Sequence, residues 1–147
     1  MTARLTAVAA IDGGSRGNPG EAGCGVVLTL STGTHEEHTV YLGRTTNNVA
    51  EYAGLLAAQE RALVLGVSEL RIQTDSELLV KQLHGQYRVK APHLQPLYRR
   101  ARELSAQFVR FTIRHVRREA NGDADRLANQ AIDTRASTLP VPAGVQP

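Results

Sequence analysis

The sequence predicts an α/β domain built on one mixed, five-stranded sheet flanked by helices. Three observations carry that expectation. The hydrophobic period changes in the order three strands, helix, strand, helices, strand, helix; two strands run into an acid, Asp12 and Asp75; and 147 residues with 41% hydrophobic content suit a single core. Strands 1 to 3 follow one another directly and read as an antiparallel meander, whereas strands 1, 4 and 5, linked through helices, read as parallel. A chain of this length buries about 70% of its unfolded surface, so one domain suffices.

Taken in order, "RLTAVAAID" is a strand of small and aliphatic residues, and "GCGVVLTL" and "EEHTVYLG" are two more, joined by the turn "STGT". "NNVAEYAGLLAAQERALVLG" changes period: Val49, Tyr52, Ala53, Leu56, Leu63 and Val64 share one side of a helix that stops at Gly66. "ELRIQTD" is the fourth strand, and Ser76 is a natural N-cap for the helix "ELLVKQLHG". In "PHLQPLYRRARELSAQF", Leu94, Leu97, Tyr98, Ala101 and Leu104 form an apolar stripe with Arg99, Arg100 and Arg102 largely off it. "VRFTIRHV" alternates as a fifth strand ending near His115, and "NGDADRLANQAID" is the last helix. The domain is thus expected over 1–133, and "TRASTLPVPAGVQP", with three prolines, reads as a loose tail over 134–147.

Composition narrows the class. No run of about 18 apolar residues and no charged-then-apolar leader is present, which argues against a membrane span or secretory signal. The single cysteine, Cys24, lies in an apolar stretch and reads as a buried core residue suited to a reducing, cytoplasmic setting. The net charge of +3 conceals a division: Lys81 to Arg118 holds ten Lys or Arg against one acid, Glu103, and the remainder is acidic. Such a stretch is either a solvated face or the footprint of a phosphate backbone.

Four places carry potential chemistry. Asp12 at a strand end is followed by Gly13, Gly14, Gly17 and Gly20, a stretch that would let a polyanion or metal approach the backbone, although Asp-Gly is also an ordinary turn dipeptide. Glu51 follows Asn48 by three residues, the spacing of a capping box, yet "RTTNN" before it crowds one Arg, two hydroxyls and two amides at a helix N-terminus that favours phosphate. Asp75 ends the fourth strand. In the last helix Asp123 and Asp125 flank the apolar stripe, and spacing alone leaves open which of them faces a site.

Together these blocks resemble the type 1 ribonucleases H. "DGGSRGNPG", "TTNNVAEYAGLLAA", "TDSELLVKQL" and "NGDADRLANQA" match the family's four acid-bearing blocks in order and spacing from about Ala7 to Ile132. The resemblance implies the ribonuclease H-like fold and selects Asp125 over Asp123. It also implies a site in which Asp12, Glu51, Asp75 and Asp125, with Gly13 beside them, hold two Mg²⁺ ions for which Mn²⁺ can substitute. The family pattern puts Asp12 between both ions, Glu51 and Asp75 on the attacking side, and Asp125 on the other. Clustered acids repel one another unless cations are present, and hard oxygen ligands suit Mg²⁺. The scattered histidines show no zinc spacing.

The activity so implied is endonucleolytic hydrolysis of the RNA strand of RNA/DNA hybrids by two-metal-ion catalysis, leaving 5′-phosphate and 3′-hydroxyl ends, in a monomer with no membrane partner. Gly13, Asn18, Asn47 and Asn48 resemble the family's 2′-hydroxyl and minor-groove contacts, and Arg44 and Thr46 its grip on a DNA-strand phosphate. Two departures stand out. The Trp-rich basic helix and handle of many members is absent, leaving Arg88, Lys90, Arg99 and Arg100 as candidate hybrid contacts. The loop histidine is replaced by "RREANG", where Arg118 or Glu119 would substitute; His115 is read as strand, not as that residue. The alternatives are a non-catalytic module binding hybrid or double-stranded RNA on the same fold, and an ATP-binding relative, for which no P-loop appears.

Overall fold

The structure, a computed structural model, describes residues 4–145, so the outermost residues of the expected domain and tail, 1–3 and 146–147, lie outside it. Five strands, β1 (Thr6–Arg16), β2 (Gly20–Leu30), β3 (His35–Thr45), β4 (Glu69–Thr74) and β5 (Arg110–His115), form one sheet in the order β3-β2-β1-β4-β5. β1 pairs antiparallel with β2 and β2 with β3, while β1, β4 and β5 run parallel, as the sequence predicts. The helices are α1 (Asn47–Val64), α2 (Glu77–Leu83), α3 (Gln95–Ser105) and α4 (Gly122–Thr134), the last preceded by a 3-10 turn, Arg118–Asn121. No helix among the described residues is long and apolar enough to cross a membrane.

α1 and α4 cover opposite faces of the sheet, and small residues let both come close. Side chains alternate along β2: a Cβ on Gly25 would stand 2.5 Å from Ala124 O and 2.6 Å from Leu127 Cβ of α4, whereas its neighbour Cys24 lies against Gly54 of α1. The main core fills the α1 side with Ile11, Cys24, Val26, Leu28, Tyr52, Leu55, Leu56, Leu70 and Ile72, joined by Leu97, Ala101 and Leu104 of the α3 stripe. Cys24 is fully buried, and desolvation, with Glu51 and Asp12 nearby, pushes its thiol well above the usual range.

Four local expectations need correction. β1 does not end at Asp12 but continues to Arg16, because Gly13 to Arg16 keep pairing with β2 after the β4 ladder stops at Ile11↔Thr74. The chain turns later, at Gly17. Val64 leaves the α1 stripe and is 76% exposed at the end of the helix. The cap of α1 is Thr46, whose Oγ1 accepts the Val49 N–H at 3.3 Å, so Glu51 is not the far half of a capping box begun by Asn48. The tail is not loose: Thr138 N donates to Thr39 O at 2.8 Å, Tyr41 N donates to Ser137 Oγ at 2.8 Å, and Val145 is 4% exposed in the core. Prolines end regular structure, but an unpaired strand edge and an apolar side chain still supply a docking surface.

Candidate active site

The site forms where the parallel half of the sheet ends. Asp12 lies one residue beyond the last β1–β4 pair, so backbone pairing with β2 fixes it while its β4 flank opens; Asp75 leaves β4 at the same level. α1 brings Glu51 over this edge because Gly13 has no side chain: a Cβ there would overlap the Ala50 carbonyl oxygen. The glycine that reads as an opening for a ligand therefore first admits a helix backbone. On the other face α4 carries Asp125, and the buried Asn121 ahead of it donates from Nδ2 to Ile11 O at 2.9 Å, tying the α4 entry to the strand beside Asp12.

Carboxylate oxygens of Asp12, Glu51 and Asp75 lie within 4.8 Å of one another. Asp125 lines the same cleft, of about 490 Å³, close enough to Asp12 to raise its proton affinity. Asp12 is 8% exposed, and burial, then the charge of Asp75 and the proximity of Asp125, raise its carboxyl from 3.8 to about 8, against a lowering by the Gly13 N–H. Burial, then Asp12 and Asp75, raise Glu51 to about 9, opposed by the same N–H and by Arg118. Glu51 Oε2 and Ser15 Oγ, both in residues lining the cleft, are buried without a hydrogen-bond partner among the described residues. Crowded acids, raised proton affinities and orphaned oxygens are what a divalent cation would resolve, and a set made wholly of oxygen donors fits Mg²⁺ or Mn²⁺.

The remaining candidates separate. Gly13, Asn47 and Arg118 line the cleft, and Asn18 adjoins it by accepting the Asn47 N–H on Oδ1 at 3.0 Å. Arg44 and Asn48 are exposed at the end of β3 and the start of α1, and Thr46 between them uses its hydroxyl as the helix cap. Glu119 does not line the carboxylate cleft; it shares a separate depression with Asn121 and Asp123 on the α4 entry. His115, read from sequence as strand only, ends β5 and also lines the cleft, as do Ser15, Arg16 and Asn129. For His115 the register of β5 against Thr74 carries the signal, since it puts the imidazole level with the approach to Asp75. Asn121 gave no signal beyond its place in a helix-opening block.

A mixed sheet with this strand order, bearing acids from β1, α1, β4 and α4 in one cleft, defines a ribonuclease H-like domain. The model for the family described as reverse transcriptase-like matches residues 10–131. Ribonuclease HI of Halobacterium salinarum is 45% identical over 123 residues, covering 83% of this chain and 62% of that protein; the crystal structure of RNase H1 from that archaeon superposes with a TM-score of 0.84, covering 88% of this chain and 98% of the other at 43% identity. A bifunctional protein of Mycobacterium tuberculosis is 47% identical over 131 residues, 86% of this chain and 35% of its own length. Its N-terminal RNase H domain, solved as a fusion, gives a TM-score of 0.83 at 45% identity over 88% and 95% of the two chains. An RNase H1 isolated from compost, solved in complex with RNA/DNA hybrid, gives 0.81 at 40% identity over 88% and 98%. The chain belongs to the type 1 ribonuclease H family, a family of nucleases. It spans about a third of the mycobacterial relative and under two thirds of the haloarchaeal one.

Proposed function

We propose that this chain is an endonuclease that hydrolyses the RNA strand of RNA/DNA hybrids with two divalent cations, Mg²⁺ or Mn²⁺, and leaves 5′-phosphate and 3′-hydroxyl ends. The observation that carries the reading is the convergence of Asp12, Glu51 and Asp75 within 4.8 Å, without a cationic side chain bonded to any of them among the described residues. Asp12, Glu51, Asp75 and Asp125 would hold the cations. When bound, these supply Lewis acidity, generating the nucleophile from water and offsetting charge on the phosphoryl and departing oxygens.

The chain's own groups then bind and orient the substrate. The sheet holds Asp12 in one position, and α1 and α4 hold Glu51 and Asp125 against it, so little reorganisation remains when a phosphate enters. Arg118, near enough to Glu51 to favour its charged form, offers a cation to the same phosphate or to the product. Gly13, Asn18, Asn47 and Asn48 face a wide minor groove as small groups able to meet 2′-hydroxyls, and Arg44 with Thr46 grips a phosphate of the DNA strand. None of these roles reads a base edge, so cleavage is independent of sequence. The reading also takes the protein to be a cytoplasmic monomer, in keeping with its single buried thiol.

The test is cleavage of end-labelled RNA/DNA hybrid, duplex RNA and duplex DNA with Mg²⁺, Mn²⁺ or chelator, followed by assignment of the product termini. Hybrid-selective, cation-dependent cuts ending in 3′-hydroxyl support the reading. Cleavage that persists in chelator sinks it, and tight hybrid binding without cleavage replaces it with the non-catalytic module.

A further inference from the structure

A second groove, sharing no lining residue with the carboxylate cleft, lies between the loop after α2 and the start of α3. It encloses about 520 Å³ between Gly85, Tyr87, Arg88, Val89, Tyr98 and Arg99, with Gln95 at its side. The chain has four tyrosines, two phenylalanines and no tryptophan. Tyr52 is buried on Gln82 and Tyr41 is bonded to Glu21, so the other two tyrosines both line this one groove. Tyr87 is 50% exposed, an unusual position for a large ring in a chain so poor in aromatics.

The groove is held in shape. Tyr87 N donates to Lys81 O at 3.2 Å, Gln95 Nε2 donates to Val89 O at 3.2 Å, and Lys81 Nζ sits 4.8 Å from the Tyr87 ring centroid. Its cations are free. Arg88, Lys90 and Arg99 have no carboxylate partner among the described residues, whereas Arg100, one position on, pairs with Glu103 at 3.6 Å and does not line the groove. The structure thus divides the four cations that the sequence grouped together. Arg88 and Arg99 line the groove with the exposed Tyr87 and the half-buried Tyr98, Lys90 follows Val89 in the chain, and Arg100 is paired with Glu103 outside it.

The geometry points to a site for unpaired nucleic acid, in which a base stacks on Tyr87 while Arg88 and Arg99 hold the flanking phosphates. A half-exposed tyrosine beside guanidinium groups without carboxylate partners is the pattern of single-strand platforms, which accept any base. A groove of this size falls in the range of small-ligand sites and has room for a nucleotide. Charge complementarity supports the same ligand class, because the segment from Lys81 to Arg118 is overwhelmingly basic. This rests on the proposed action on hybrids and extends it: the protein would engage hybrids that continue into a single strand more tightly than blunt ones.

The experiment measures binding in chelator, by anisotropy, of a blunt hybrid and of the same hybrid carrying a long single-stranded thymidine extension, with cleavage of the blunt hybrid assayed in parallel with Mg²⁺. Wild type is expected to bind the extended hybrid at least about fivefold more tightly, the equivalent of one stacked base. Tyr87→Ala should erase that gain and leave blunt binding and cleavage unchanged; Tyr87→Phe should keep it. Arg99→Ala should shrink the gain and flatten its salt dependence, whereas Arg110→Ala, an exposed cation outside the groove, should not. Equal affinity of wild type for the two hybrids overturns the inference, as does a Tyr87→Ala loss shared equally by both, which would make the groove a duplex contact. Failure of blunt-hybrid cleavage by wild type strikes the proposed function instead and is read separately.

Discussion

Two regions of this molecule treat the same chemical group in opposite ways. At the outer edge of the sheet, Glu36 accepts two hydrogen bonds from Arg61 at 2.8 Å and lies 2.7 Å from His38 Nε2, and these bonds lower its carboxyl to about 2. Glu37 is likewise lowered, by Arg126 and then His35. In the cleft, burial and then neighbouring carboxylates, Asp75 and Asp125 for Asp12 and Asp12 and Asp75 for Glu51, raise these two acids to about 8 and about 9. Acids that hold the fold are given cations by the chain. Those in the cleft have no cationic side chain bonded to them among the described residues, so the fold tolerates repulsion at the one place where the proposed function needs cations.

The sharpest way to break the comparison is to remove one acid from each region. Asp12→Asn should lower hybrid cleavage by about a thousandfold or more, since several kcal/mol of charge stabilisation depends on that ligand, yet raise the melting temperature in chelator, because an amide is neutral among the other acids without having to take up a proton. Glu36→Gln should do the reverse, keeping turnover and losing about 1 to 2 kcal/mol in urea denaturation. A Tm that falls in both variants would erase the distinction.

pH gives the next largest effect. The folded protein holds extra protons on Asp12 and Glu51 between their ordinary values, 3.8 and 4.5, and their raised ones, about 8 and about 9. Unfolding releases those protons, so metal-free stability should decline as pH rises through that window. Mg²⁺ should cancel the decline, and the gap between melting curves with Mg²⁺ and with chelator should widen from pH 5 to 9. Glu36 has the opposite sign: its contribution is full above its ordinary value of 4.5 and fades as pH falls towards about 2, with or without Mg²⁺. A metal-free melting temperature that is flat from pH 5 to 9 would refute the cleft's half of the contrast.

A smaller effect tests the border of the cleft. Arg118→Ala should reduce kcat about tenfold, because its cation stands near Glu51, whereas Glu119→Ala, on the far side of the 3-10 turn, should leave kcat within about twofold. The smallest change concerns the opposite edge. Ending the chain after Arg135 should lower stability by about 2 kcal/mol through loss of the Val145 burial and the bonds to β3, without changing cleavage of blunt hybrid.

Element order and the parallel or antiparallel sense of each strand were legible because period and connection lengths encode them directly. Asp12, Glu51, Asp75 and Asp125 were legible as a set through the four blocks, although periodicity by itself could not separate Asp125 from Asp123. What escaped depends on three-dimensional neighbours. Gly13 reads as part of a turn until α1 is seen lying on it, and Thr46 is hidden as a cap by the better sequence match of Asn48 with Glu51. The tail reads as loose because its few apolar residues show no period, yet buried Val145, partly buried Leu139 and Val141, and the hydroxyls of Ser137 and Thr138 dock it. His115 belongs to the cleft only through its register with β4, a relation that no local window contains.

That docked tail has a further consequence. β3 is an outermost strand, and the backbone groups of Thr39 and Tyr41 that would otherwise face solvent are engaged by Ser137 and Thr138. An unsheathed strand of this length is a template on which another chain can grow intermolecular β-structure. By occupying Thr39 and Tyr41 with its own segment, the chain shields the middle of that flank from such pairing.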